Sequence, residues 1–133
     1  VSNLMLVKDR IGIIDSQDAL IGNRAYDLAS LIDDVRLQTS KSFKKRLYNF
    51  YLSKQKKIDK KKFKNDFEIL SVLRNLKIIG IFTRLAIRDG KVKYLKLIPH
   101  AWKLISLRIK KNTVFNDLDN LLSKNFKREL NAN

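Results

Sequence analysis

The sequence of 133 residues has no cysteine, one proline, one histidine, one tryptophan and four glycines. Without cysteine there is no disulfide framework, no zinc knuckle and no thiol nucleophile. The lone His100 has no second histidine at ligand spacing and no serine or cysteine elbow beside it, so it reads as a surface or satisfied histidine rather than a catalyst. No apolar run approaches the ~20 residues needed to cross a bilayer, and no charged, apolar and small-residue signal segment opens the chain. The cytoplasm is the compartment these absences fit most simply. Low-complexity tracts and internal repeats are also missing.

Acidic residues are scarce too: 13 Asp and Glu stand against 29 Lys and Arg, a formal net charge of +16. A lysine-rich face can bind a phosphate backbone through counterion release. Lysine outnumbers arginine, however, and isoleucine and asparagine are abundant, the composition an AT-rich genome writes onto a solvated surface. A positive field would still help attract an anionic nucleotide. The length and the 44% hydrophobic content fit one domain, residues 1–133, burying roughly two-thirds of its unfolded surface.

What is present begins at residues 3–27. Residues 4–7 (LMLV) are apolar, Lys8-Asp9-Arg10 is a polar turn, and residues 11–14 (IGII) form a second apolar run. This pattern predicts a β-hairpin. Asn3 precedes the first strand and Asp15 follows the second, so a tight hairpin brings an amide oxygen and a carboxylate side by side. Two hard oxygen donors suit Mg²⁺, which completes its shell with water and phosphate oxygens.

The remaining chain reads as helix. Gly22-Asn23 closes a loop, and a helix is expected over about 24–37, with Ala25, Leu28, Leu31, Ile32 and Val35 inward and Asp33, Asp34 and Arg36 outward. Asp27 falls in its first turn, where a carboxylate suits the positive end of the dipole. Ser40 is a plausible N-cap for a second helix to about residue 53, carrying Phe43, Leu47, Phe50 and Tyr51. The lysine-rich run 54–66 follows, with Asp59 able to start another helix. Aromatics are sparse here, Phe63 within the run and Phe67 just after it, at a spacing that fits burial, so a solvated helix junction outweighs a nucleic-acid arm. The longest pattern runs over about 60–88, tolerating Gly80 and interrupted by Arg74, Arg84 and Arg88. Those arginines either reach a cleft or pair with Asp33, Asp34 or Asp66, and the pairing reading is preferred. Asp89-Gly90 ends it with a left-handed stop. A helix over about 92–109 should be kinked by Pro99 or truly start there. A last helix covers about 114–127. The fold class is therefore mainly α with one small N-terminal β-hairpin.

An Asn ahead of a strand pair, then an apolar strand running into Asp, resembles the metal-binding half of a kinase-like site, where such residues hold Mg²⁺ on nucleotide phosphates. The wording IIDSQDALIG followed by AYDLASLIDD resembles the aminoglycoside phosphotransferase family. Together with residues 73–91 (LRNLKIIGIFTRLAIRDGK) and 94–102 (YLKLIPHAW), it is similar to that family's bacterial branch of N-acetylmuramate/N-acetylglucosamine anomeric sugar kinases. The resemblance runs from Asn3 to about Phe126. It departs at Ser16, where the family has an aromatic, which weakens packing under the loop but keeps the carboxylate.

The resemblance implies the C-terminal lobe of a kinase-like fold, with residues 1–18 a metal-binding hairpin and loop and residues 24–127 a helical lobe. The family's catalytic-loop aspartate and nucleotide lobe are expected upstream of Val1, so the chain alone would be inactive and no catalytic base lies within it. Asn3 and Asp15 are the implied metal ligands. Asp18 either touches metal-bound water or the sugar, or caps a turn. Asp27 braces the catalytic loop. The implied function is transfer of a phosphoryl group from ATP (or GTP), with Mg²⁺, to the anomeric hydroxyl of a small amino sugar of cell-wall recycling. No membrane or nucleic-acid partner is implied, and the oligomeric state is left open. The alternative is a basic helical nucleic-acid-binding module using residues 54–64; a degenerate pseudokinase is a weaker third reading.

Overall fold

The computed structural model describes residues 4–14, 21–110 and 112–126. It opens with the hairpin: β1 (Leu4–Val7) and β2 (Arg10–Ile13) pair antiparallel, with Leu4 opposite Ile13 and Val7 opposite Arg10. The turn is two residues, not the three expected, because Arg10 joins the ladder. Lys8 takes φ 53°, the left-handed conformation a two-residue hairpin turn requires at its first corner. Both faces of the ribbon are largely exposed, with Leu6 at 80% and Ile13 at 76%.

Five α-helices follow: α1 (Ala25–Ile32), α2 (Lys41–Ser53), α3 (Lys60–Asp89), α4 (Ile98–Ile109) and α5 (Asn116–Asn125). Asn23 starts α1, its Oδ1 accepting the Ala25 N–H at 3.0 Å. Ala25, Leu28, Ala29 and Ile32 form the buried stripe. The expected extension to residue 37 does not occur; α1 stops at Ile32. Asp33 and Asp34, expected to face solvent, are buried at 0% and 5%. Two competing interactions end the helix. The Asp33 carboxylate is drawn inward by cations from α2 and α4, while Asp34 Oδ1 accepts the Arg36 N–H at 2.9 Å, a local turn that displaces helical bonding. Val35 is buried, but on this turn and not on a helix.

Ser40 caps α2 by accepting the Phe43 N–H at 3.1 Å, and Asp59 caps α3 through the N–H groups of Lys61 and Lys62. These caps satisfy donors that the first helical turn leaves free. Phe43 and Phe50 lie outward on α2 under Arg46 and Lys54, while Lys44 is the residue α2 buries. At 30 residues α3 is about 45 Å long, and it ends at Gly90 with φ 65°. Residues 92–97 form a 3-10 turn, and Pro99 sits in the first turn of α4, marking its true start. Helix α5 begins at Asn116 after a 3-10 turn at 113–115.

The core consists of three clusters strung along α3. Near its start, Phe63 and Phe67 meet the buried stripe of α1. At its middle, Val72 packs with Trp102, Ile105 and Ile109 of α4 and with Phe115 and Leu122. Towards its end, Phe82 joins Val35, Ala101 and Leu104. Burial at about 25 cal/mol per Å² of apolar area makes this layer the main source of stability.

Candidate functional site

The hairpin and the start of α1 carry the residues singled out for chemistry. Asn3, Asp15 and Asp18 lie outside the described residues. The register is described up to their neighbours: Leu4 is opposite Ile13, so the chain enters β1 and leaves β2 at the same end of the ribbon. Opposed residues of an antiparallel pair have Cα atoms about 4.5–5.5 Å apart. Asp27 lies in the first turn of α1 and is exposed. The start of α1 is pinned to the helical body from two sides. Asn23 Nδ2 donates to Asp66 Oδ2 at 2.8 Å, and Arg24 Nη1 donates to Gln55 Oε1 at 3.3 Å. Among the described residues, no group of three His, Cys, Asp or Glu side chains could hold a metal ion.

A different carboxylate centre stands at the other end of α1, and its role was not legible in the sequence. Asp33 is fully buried and accepts from three elements. Arg108 of α4 reaches it with Nε at 3.1 Å and Nη2 at 2.9 Å, Lys44 of α2 at 3.2 Å, and Ser71 of α3 through Oγ at 2.6 Å. Lys44 also donates to the Ile32 carbonyl, and Arg74 reaches the Asp33 carbonyl at 3.5 Å. This ties α1, α2, α3 and α4 to one side chain. Its partners are 11, 38 and 75 residues away in sequence, so no local pattern announces them.

The three arginines of α3 separate. Arg74 reaches the Asp33 backbone carbonyl, not its carboxylate, and burial pushes its guanidinium below its ordinary value while Asp34 opposes that. Arg88 pairs with its neighbour Asp89 at 2.6 Å, at the exposed end of the helix, and Arg84 is exposed. Asp66 binds Asn23 rather than an arginine. His100 is half-buried, and its Nε2 has no partner among the described residues. Burial, with Lys44 and Lys103 nearby, lowers its pKa against the pull of Asp33 and Asp34, which favours the neutral ring. Phe63 and Phe67 belong to the core, so the lysine-rich run offers no exposed ring on which a base could stack.

A family model, the phosphotransferase enzyme family, matches residues 1–61. The N-acetylmuramate/N-acetylglucosamine kinase of Caulobacter vibrioides is 36% identical over 93 residues, 70% of this chain and 26% of the relative. The protein of that name from Neisseria meningitidis is 41% identical over 105 residues, 74% of this chain and 31% of the relative. In Pseudomonas aeruginosa another is 32% identical over 127 residues, 91% of this chain and 38% of the relative. The chain thus spans between about a quarter and two-fifths of the length of these relatives. No helix among the described residues is long and apolar enough to cross a membrane. The family match takes in the whole hairpin and all of α1, and over 70% to 91% of its length the chain is similar to proteins named N-acetylmuramate/N-acetylglucosamine kinase.

Proposed function

We propose that this chain is the C-terminal lobe of a kinase that transfers the γ-phosphoryl of ATP to the anomeric hydroxyl of an N-acetylated amino sugar, a step of cell-wall recycling in the cytoplasm. The observation that carries the reading is the hairpin, whose register joins its two open ends within the segment the family model matches. The names of the relatives, N-acetylmuramate/N-acetylglucosamine kinase, supply the acceptor class. GTP is a possible second donor.

Asn3 and Asp15 fit Mg²⁺ by donor chemistry, one amide oxygen and one carboxylate, both hard ligands. When bound there, the ion supplies charge neutralisation on the nucleotide phosphates. This chain's own contribution is positioning. The ladder pairs Leu4, next to Asn3 in sequence, with Ile13, two residues before Asp15, and the Asn23 and Arg24 bonds hold the start of α1 against Asp66 of α3 and Gln55. In this reading Asp27 braces the catalytic loop, and Asp18 either touches metal-bound water or the sugar, or caps a turn.

The test is Asp15→Ala in the complete protein, assayed for phosphorylation of N-acetylglucosamine and N-acetylmuramate. Turnover should fall by roughly a thousandfold or more, about 4 kcal/mol of transition-state stabilisation, with the circular dichroism spectrum unchanged. Near-normal turnover would sink the assignment.

A further inference from the structure

The sides of helix α2 have different fates. On one, Leu47, Tyr48, Tyr51 and Leu52 pack against the stripe of α1 and against Phe63 and Phe67 at the start of α3. Another carries Phe43 and Phe50, which lie two turns apart on one face, about 10.5 Å along the axis. Both rings are exposed, Phe43 at 40% and Phe50 at 60%. The Arg46 guanidinium stands over the Phe43 ring at 5.5 Å, and the Lys54 ammonium over the Phe50 ring at 5.3 Å. Positions 43, 46, 50 and 54 follow helical spacing, so ring and cation alternate along one outward stripe.

The charge around this stripe has one sign. Between Asp34 and Asp59 the sequence holds no acidic residue. Lys41, Lys45, Arg46, Lys54, Lys56 and Lys57 are all exposed, and among the described residues none of them is in an ion pair. Charge complementarity calls for an anionic partner. Three partner classes differ in what they ask of such a face. A protein interface gathers its rings into a core from which charge is depleted, and here Arg46 stands between the two rings. A single-stranded nucleic acid stacks its bases on open ring faces, and here the helix sets its own cation over each ring. A bilayer surface accommodates both groups together. Rings enter the boundary between headgroups and acyl chains, while lysine and arginine stay at the level of the lipid phosphates.

We propose that the outer face of α2 docks the protein on an anionic phospholipid surface, with Phe43 and Phe50 entering the headgroup boundary and Arg46 and the surrounding lysines meeting lipid phosphates. The inference stands on α2 and is independent of the phosphotransfer reading. The probe is vesicles of equal parts phosphatidylglycerol and phosphatidylcholine, sedimented with the complete protein, against vesicles of phosphatidylcholine alone. The protein should sediment with the anionic vesicles and stay in solution with the others. Phe43→Ser with Phe50→Ser should weaken binding by at least about tenfold, although it removes no charge. Lys91→Gln with Lys96→Gln, beyond the far end of α3, removes two charges and should weaken it by less than about twofold. That contrast separates a docking face from attraction by net charge. Phe50→Trp should shift its emission to shorter wavelength on adding anionic vesicles, against the constant signal of the buried Trp102. This second readout decides the matter if the serine pair disturbs folding. The proposal is overturned if the complete protein does not sediment with anionic vesicles, which would leave the face to another part of the protein or to a protein partner. It is also overturned if the serine and glutamine pairs weaken binding equally, or if the Phe50→Trp emission does not move. Asp15→Ala should bind the vesicles as the unmodified protein does, so either reading can fail without the other.

Discussion

The hairpin and the helical body use the same ingredients, apolar side chains and a carboxylate, in opposite ways. In the body, apolar residues close into three clusters and Asp33 is enclosed by cations from two helices and a serine from a third. In the hairpin, apolar residues of both strands face outward, and the carboxylate of interest follows the strand end. A two-stranded ribbon is marginal on its own, and among the described residues the order of β1 and β2 rests on their ladder. A carboxylate enclosed by paired cations stabilises and cannot leave its place. The comparison assigns Asp33 to architecture, whereas a chemical role for Asp15 belongs to the proposed function.

Substitution breaks this comparison most directly at its two acids. Asp33→Ala leaves the buried Lys44 and the partly buried Arg108 without their counter-charge, and removing one partner from a buried ion pair costs about 3–5 kcal/mol. Urea denaturation of the complete protein should show a midpoint lowered to match. The folded fraction of the variant should keep its specific activity. Asp15→Ala should do the reverse, removing turnover and leaving the midpoint in place. An unchanged midpoint in Asp33→Ala would mean that water reaches the centre and that the two acids do not differ in kind.

The same contrast explains what could be read from the sequence. Helix starts at Ser40 and Asp59 and the stop at Gly90 were legible because a cap acts within three residues of itself. The position of Pro99 in the first turn of α4 was legible for the same reason. The end of α1 was not. Its apolar spacing continues through Val35, and only the long-range pull on Asp33, with the turn at Asp34, interrupts it. Phe43 and Phe50 recur at helical spacing, yet α2 turns its Lys44 inward to satisfy Asp33 and leaves both rings outside. The hairpin was legible by alternating apolar and polar runs, except that charged Arg10 pairs within the ladder. Of the expected site, the family wording carried Asn3 and Asp15. The buried centre has no counterpart in local pattern, because it forms only where the end of α1 meets three other helices.

Two glycines sharpen the comparison at a smaller scale, within the body alone. Gly80 lies in the interior of α3 with open space around a would-be Cβ. Gly80→Ala should therefore stabilise by about 0.5–1 kcal/mol, the helix-propensity difference between the two residues. Gly90 also has open space, but its φ of 65° belongs to the left-handed region. Gly90→Ala should destabilise by about 1 kcal/mol. Thermal melts of the two variants should move in opposite directions. Shifts of the same sign would mean that α3 does not end as described.

The smallest expected effect lies at His100, and its sign follows from the direction of its pKa. Burial, Lys44 and Lys103 hold the folded-state pKa below the ordinary value of 6.5, with Asp33 and Asp34 opposing them. Above that ordinary value the ring is neutral in both folded and unfolded chains and contributes no pH dependence. As pH falls through it, the unfolded chain takes up a proton that the folded chain resists, so stability declines until the folded-state pKa is passed. Replacing the ring with a group that never titrates removes that part of the decline. His100→Gln should therefore lose less stability than the unmodified protein between pH 7.5 and 5.5, read as a smaller drop in the urea midpoint over that window. Taking the difference between the two proteins cancels the carboxylates, which titrate in both. Identical drops would place His100 in contact with water and detach it from the charges around Asp33.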